Sequence, residues 1–159
     1  MSFKNGQTDT LRRALTSANR HEQARAAIQL GYGGDRESIN QLRDLATNAD
    51  DLVAIAAMFG CWQLGIDAVS IKRMVAALSS SDEELVQESV FALCEMGEAI
   101  VPKLTALLEE YSPYADNILR VLADIGGDRA FNAIKHFQTD DTNLLRIIDD
   151  LLDDWDEAD

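Results

Sequence analysis

The chain is poor in the residues that usually announce chemistry. Two histidines and two cysteines occur in 159 residues. His21 and His136 are over a hundred residues apart, and neither has a cysteine or carboxylate at metal-ligand spacing. Both therefore read as surface histidines. Cys61 and Cys94 fall inside apolar stretches and read as small buried hydrophobes in a reducing compartment. No G-x-S-x-G, P-loop or H-E-x-x-H motif occurs, so no catalytic residue, metal or cofactor is assigned. Proline is scarce too, at two residues, and with many Ala and Leu this leans the chain towards helix. No apolar run approaches the roughly 18 residues of a membrane span, so none is expected. The opening Met1-Ser2-Phe3-Lys4-Asn5-Gly6 has no apolar signal region, which points to the cytoplasm.

Positive charge is the other shortage. Only four lysines are present, and the formal net charge is −14. The imbalance is uneven. Residues 1–43 carry seven Lys/Arg against four acids, about +3, and residues 44–159 carry seven against 24, about −17. Such a field repels phosphate backbones, so nucleic acid is an unfavoured partner and a nucleic-acid enzyme has the wrong sign. Aspartate exceeds glutamate, 18 to 10, a bias that also fits a salt-rich cytoplasm.

What the chain does have is a period. Leu30-Gly31, Leu64-Gly65, Met96-Gly97 and Ile125-Gly126 each end a helix-like stretch, with glycines 34, 32 and 29 residues apart. A second apolar-periodic segment follows each within about ten residues. Aligned on Ile39, Ile71, Val101 and Phe131, these second segments repeat at 32, 30 and 30 residues. Three positions on, Leu42, Met74, Leu104 and Ile134 are all apolar. Self-similarity at this period predicts stacked helical hairpins, each an outer helix, a glycine turn and an inner helix. The fold expected is all-α, a short right-handed α-solenoid of about four to five hairpins.

The boundaries follow. A single domain over 1–159 opens with a capping helix at 8–18. Four hairpin repeats occupy 20–139, and a capping helix at 140–155 carries an acidic tail to 159. Terminal caps are needed because a bare repeat exposes its apolar stacking face. Ser81-Asp82-Glu83-Glu84 places a cap and early acids before the third outer helix, and Pro102 sits harmlessly in a first turn. Asp35, Asp67 and Asp128 stand as candidate N-caps of inner helices. Trp62 and Trp155 read as packing residues.

The pattern resembles the HEAT-like repeats grouped with the phycobilisome-lyase type. Gln29-Leu30-Gly31 with Gly34-Asp35, Gln63-Leu64-Gly65, Val101-Pro102-Lys103-Leu104 and Ile125-Gly126-Gly127-Asp128 carry it, over about residues 20 to 155. Two turns lack the Gly-Asp pair, at Gly65-Ile66-Asp67 and Gly97-Glu98-Ala99. The resemblance implies a HEAT-like superhelix whose inner helices line a concave face. It says little about function, since such repeats serve scaffolds, lyase subunits and regulators.

On those inner helices the non-core positions are Gln41, Arg43, Lys72, Arg73, Lys103, Lys135 and His136, and three of the four lysines are among them. The functional reading is a concave groove for an acidic segment of another protein. The alternative is a set of solvated charges pairing with acids such as Asp44 and Glu109. The protein is thus expected to be a non-catalytic adaptor, scaffold or regulator, a monomer without a membrane segment. Two further readings stay open. One is a phycobilin lyase-type subunit or chromophore-related factor, implied by the resemblance. The other is an acidic inhibitor or immunity-type protein acting on a basic enzyme. The tail 149–159, with seven acids and no base, serves solubility or a basic partner.

Overall fold

The computed structural model describes residues 5–48, 50–110 and 113–156; the end of the acidic tail lies outside them. Among the described residues there are ten α-helices and no strand. They are α1 (Asn5–Ala14), α2 (Arg20–Tyr32), α3 (Ile39–Leu45), α4 (Asp51–Gln63), α5 (Ile71–Ala77), α6 (Glu83–Met96), α7 (Val101–Glu109), α8 (Ala115–Ile125), α9 (Gly127–His136) and α10 (Thr142–Asp156). Single 3-10 turns at Arg36–Ser38 and Gly97–Ile100 lead into α3 and α7. The hairpins α2/α3, α4/α5, α6/α7 and α8/α9 stack as an all-α solenoid, with α1 on α2 and α10 on α8 and α9. The first helices α2, α4, α6 and α8 pack successively in one row, and α5, α7 and α9 pack in the other.

The repeating apolar position lies at the centre of this stack. Leu42, Met74, Leu104 and Ile134 are all fully buried, one in each second helix. Each fills the space between its own helix and the first-helix row, where a side chain of that size excludes water on every side. At the far end Trp155 of α10 lies 5.4 Å from the Phe131 ring of α9 and packs the last helix back onto the array.

Helix starts are set by short polar side chains. Asn19 accepts from the backbone N–H groups of His21 and Glu22, and Asp82 from those of Glu84 and Leu85. Asp50 caps α4 and Ser70 caps α5, the latter accepting from the Arg73 N–H at 3.3 Å. The aspartates expected to cap the second helices behave differently. Asp67 stands three residues ahead of the α5 cap, and Asp128 is already inside α9. Asp35 sits at the start of the first 3-10 turn, but its carboxylate accepts from Arg12 and from the Ser38 hydroxyl. It ties α1 to the α2–α3 turn, and the Arg12 guanidinium holds its carboxyl below the usual range.

Three of the four repeat glycines are turn residues in the left-handed region: Gly65 (φ 73°), Gly97 (φ 55°) and Gly126 (φ 72°). Gly31 is not. It lies inside α2, buried, and the left-handed residue of that turn is Gly34. What Gly31 supplies is room. A Cβ built on it would stand 2.6 Å from Gly60 Cα, and one on Gly60 would stand 2.6 Å from the Ala27 carbonyl oxygen. The backbones of α2 and α4 therefore touch, which only glycine at both positions permits.

Helix α4 departs furthest from the expected outer helix. Every residue from Leu52 to Cys61 is buried, so it has no solvent face. An all-round apolar helix of this kind belongs inside a structure. It is enclosed because its two neighbours in the row reach each other across it.

Candidate functional site

The closure over α4 is built from side chains of α2 and α6. At one end Arg20 pairs with Asp82 at 2.6 Å and with Asp50 at 3.4 Å, and His21 Nδ1 lies 2.8 Å from Glu84 Oε1. At the other end the Tyr32 hydroxyl donates to Glu95 Oε2 at 3.2 Å. Side chains of α2 and α6 thus meet across α4 at two places. The cause is the glycine contact: drawing α2 onto α4 brings α2 within side-chain reach of α6.

Between these two ends lies an aromatic ledge. Phe59 of α4 is fully buried, and its ring is met edge-on by Tyr32 of α2 (5.6 Å, 74°) and by Phe91 of α6 (5.4 Å, 70°). Trp62 stacks on Phe59 from below the ledge's end (5.9 Å, 16°). Tyr32 and Phe91 remain 42% and 40% exposed, and Leu145 is the other large apolar residue with comparable exposure among those described. Two of three such residues thus share one patch. Carboxylates rim it. Glu84, Glu88 and Glu95 share one stripe of α6 with Phe91, on a helix without a single Lys or Arg. Glu88 Oε1 is buried and no protein donor reaches it. Burial, with Glu84 one turn away, pushes the Glu88 carboxyl above the usual carboxylate range.

The residues expected to bind a partner lie on the second helices, on the opposite side of the array. Gln41, Arg43, Lys72, Lys103, Lys135 and His136 are exposed there. They do not form one cluster. Lys103 borders a hollow of about 250 Å³ with Trp62, Ile66 and Ile100, between the α4–α5 turn and α7. Lys135 sits over its own helix's Phe131 ring at 5.4 Å, and His136 Nδ1 lies 2.8 Å from the Asn132 carbonyl one turn back. Arg73 is occupied internally. It pairs with Asp51 at 2.6 Å and donates to the carbonyls of Asn48 (2.6 Å) and Ala46 (3.4 Å), so it joins the end of α3 to the start of α4. A groove of about 580 Å³ does run between α7 and α9, with Arg129, Asn132 and His136 on one wall and Glu109 on the other.

No group of three or more His, Cys, Asp or Glu is placed to hold a metal among the described residues. Burial pushes the Cys61 and Cys94 thiols up, so neither is an activated thiolate. No described helix is long and apolar enough to cross a membrane.

The aromatic ledge escaped the sequence reading because Tyr32, Phe59 and Phe91 sit in three different repeats. The 32-residue step from Phe59 to Phe91, equal to one repeat, was the available signal. No family model and no curated protein matches the chain. Among solved structures, one engineered protein is 22% identical, covering 89% of this chain and 76% of that one, with a TM-score of 0.46. A second engineered protein is 20% identical over 91% of this chain and 46% of that one, at 0.45. A designed armadillo repeat protein is 17% identical over 87% and 78%, at 0.41. At these values the likenesses assign no activity.

Proposed function

We propose that the protein is a non-catalytic interaction module, an adaptor, scaffold or regulator of the HEAT-like kind, that binds another protein through a face of its solenoid. The observation that carries this reading is the ledge of Tyr32, Phe59 and Phe91. A monomer exposing aromatics from two helices onto a third, buried one maintains a preformed, rigid contact surface. Rigid aromatics are favoured as binding anchors because they lose little conformational freedom when covered. The acidic rim and the net charge of −14 favour a basic partner, which is also what an inhibitor or immunity-type role would need.

A second reading keeps the second-helix face. The groove between α7 and α9 has Arg129 and His136 at one wall, with Lys103 and Lys135 nearby on the same row, and would receive an acidic segment. Arg43, Lys72 and Gln41 extend that row, and Arg73 contributes through its contacts to α3 and α4. The lyase-type reading rests on the repeat motif alone and requires transfer of a bilin to an acceptor cysteine.

Affinity capture from source cells separates these. The wild-type protein is compared with Tyr32→Ala/Phe91→Ala and with Lys103→Glu/Lys135→Glu. A specific partner lost only with the aromatic pair supports the first reading, and one lost only with the lysine pair supports the second. A partner retained by both variants, or a coloured tetrapyrrole copurifying with the wild type, overturns them.

A further inference from the structure

The geometry points to a definite chemistry for the ledge, and we infer that it receives an arginine side chain from a basic segment of a partner protein. The inference rests on the reading of the first-helix face as the binding surface.

Three observations converge. The first is register. His21 meets Glu84 and Tyr32 meets Glu95, and each pair is 63 residues apart. The same step places Arg25 of α2 at the position matching Glu88, between the two closed ends. There the contact across α4 is missing: no protein donor reaches Glu88 Oε1, although the oxygen is buried. Oε1 is sealed from solvent, so an incoming group meets the rest of this partly exposed carboxylate, and a charged N–H group is the partner that suits it best.

The second is the π surface on the same stripe of α6. Phe91 follows Glu88 by three residues on one stripe of α6, and Tyr32 faces it across Phe59. A guanidinium can donate to a carboxylate in its plane while its face lies on an aromatic ring, which an ammonium cannot do in both directions. Tyr32 is itself fixed by its bond to Glu95, so the ledge needs no rearrangement on binding.

The third is charge. Glu83, Glu84, Glu88 and Glu95 lie on α6 with no compensating base on that helix, and Asp82 at its start is held by Arg20. Glu84 acts on Glu88 from one turn away along α6, where Glu95 also lies, and the register puts His21 and Arg25 on the α2 side. The surroundings are acidic in sum even with Arg25 counted, so an incoming cation is attracted and an acidic chain is turned away.

The test titrates the full-length, 15N-labelled protein with a peptide bearing two arginines in a glycine–serine backbone, and with the same peptide carrying citrulline. The arginine peptide should shift amide signals over 25–32, 59–62 and 84–95, and citrulline should weaken it by about tenfold. Glu88→Gln and Phe91→Leu should each weaken it about five- to tenfold. Phe91→Leu keeps an apolar contact on Phe59, and a two-dimensional spectrum of each variant verifies its fold. Asp149→Asn/Asp150→Asn, which removes two charges from α10, should change the affinity less than about twofold. Shifts spread over α10, or equal losses in all variants, would overturn the inference as general acidity. Equal binding of the citrulline peptide would overturn the cation requirement. Self-association lost in Phe91→Leu would assign the ledge to a second copy and overturn it as well. In those three cases a captured protein still dependent on Tyr32 and Phe91 leaves the broader interaction reading standing; if that dependence is also absent, both fall.

Discussion

The two ends of this solenoid use one repeat and pack it differently. In the first half α2 lies on α4 backbone to backbone, through Gly31, Gly60 and Ala27. In the second half α8 and α9 are spaced by Ile118, Leu119, Leu122 and Ile134, and their outer faces are polar. Close backbones enclose α4 and draw α2 and α6 into contact over it, creating a pinched aromatic ledge. Open hollows occur in both halves: the groove between α7 and α9, one of about 430 Å³ lined by Leu108, Pro113, Phe137 and Leu144, and one of about 540 Å³ lined by Met58, Val69, Ser70 and Arg73. Residue size at the α2–α4 contact therefore decides how closely those two helices approach. The physical reason is that interaxial distance follows the side chains at the contact.

The sharpest way to break this comparison is to empty the bulky half. Leu104→Ala should destabilise the protein by about 2–5 kcal/mol, because a fully buried side chain leaves a cavity. Urea denaturation followed by helical circular dichroism measures it, and an unchanged midpoint would remove Leu104 from the core.

Filling the tight half is the complementary test. Gly60→Ala should cost about 1–3 kcal/mol, since its methyl group meets a backbone carbonyl that cannot turn aside. The substitution should also loosen the α2–α6 closure, read as faster amide exchange at Tyr32 and Glu95. If Gly60→Ala is neutral, or raises stability as alanine does in open helices, backbone contact is not what encloses α4.

A smaller effect is expected from the cap of α5. Ser70→Ala should cost about 1 kcal/mol by thermal denaturation, whereas Asp67→Ala should change little, because Ser70 supplies the acceptor. Equal losses would return the cap to Asp67.

The smallest expected effect sharpens the reading of the ledge through pH. Glu88 binds its proton more tightly folded than unfolded. Its contribution to stability is therefore present at low pH and lost as pH rises through its raised folded value. Glu88→Gln should raise Tm at neutral pH, and the gain should fade below the usual carboxylate range. Asp35 has the opposite sign: lowered by Arg12 when folded, it stabilises at neutral pH and loses that contribution as pH falls. An Asp35→Asn variant should accordingly be less acid-sensitive than the parent, with lower Tm at neutral pH. A Glu88→Gln variant less stable than the parent at neutral pH would show that its carboxylate is already paired.

The hairpins were legible because burial imposes a period on any repeat that stacks. Leu42, Met74, Leu104 and Ile134 had to be apolar together, and the left-handed turns at 65, 97 and 126 had to be glycine. Such constraints act on single positions or on neighbours one turn apart, so the amino-acid order records them. Gly31 shows where that record misleads. It shares its motif with the turn glycines, yet serves a contact with Gly60, 29 residues away. The basic residues on the second helices were equally visible as a stripe, but Arg73 spends its charge on carbonyls of the preceding turn. The sequence by itself determined the helices, their pairing and the buried seam, because these follow from local periodicity and turn geometry. Which side chains of α2 and α6 meet across α4 was decided only in three dimensions. That meeting depends on the closest approach of helices from different repeats, and that distance is a property of residue pairs that no local pattern brings together.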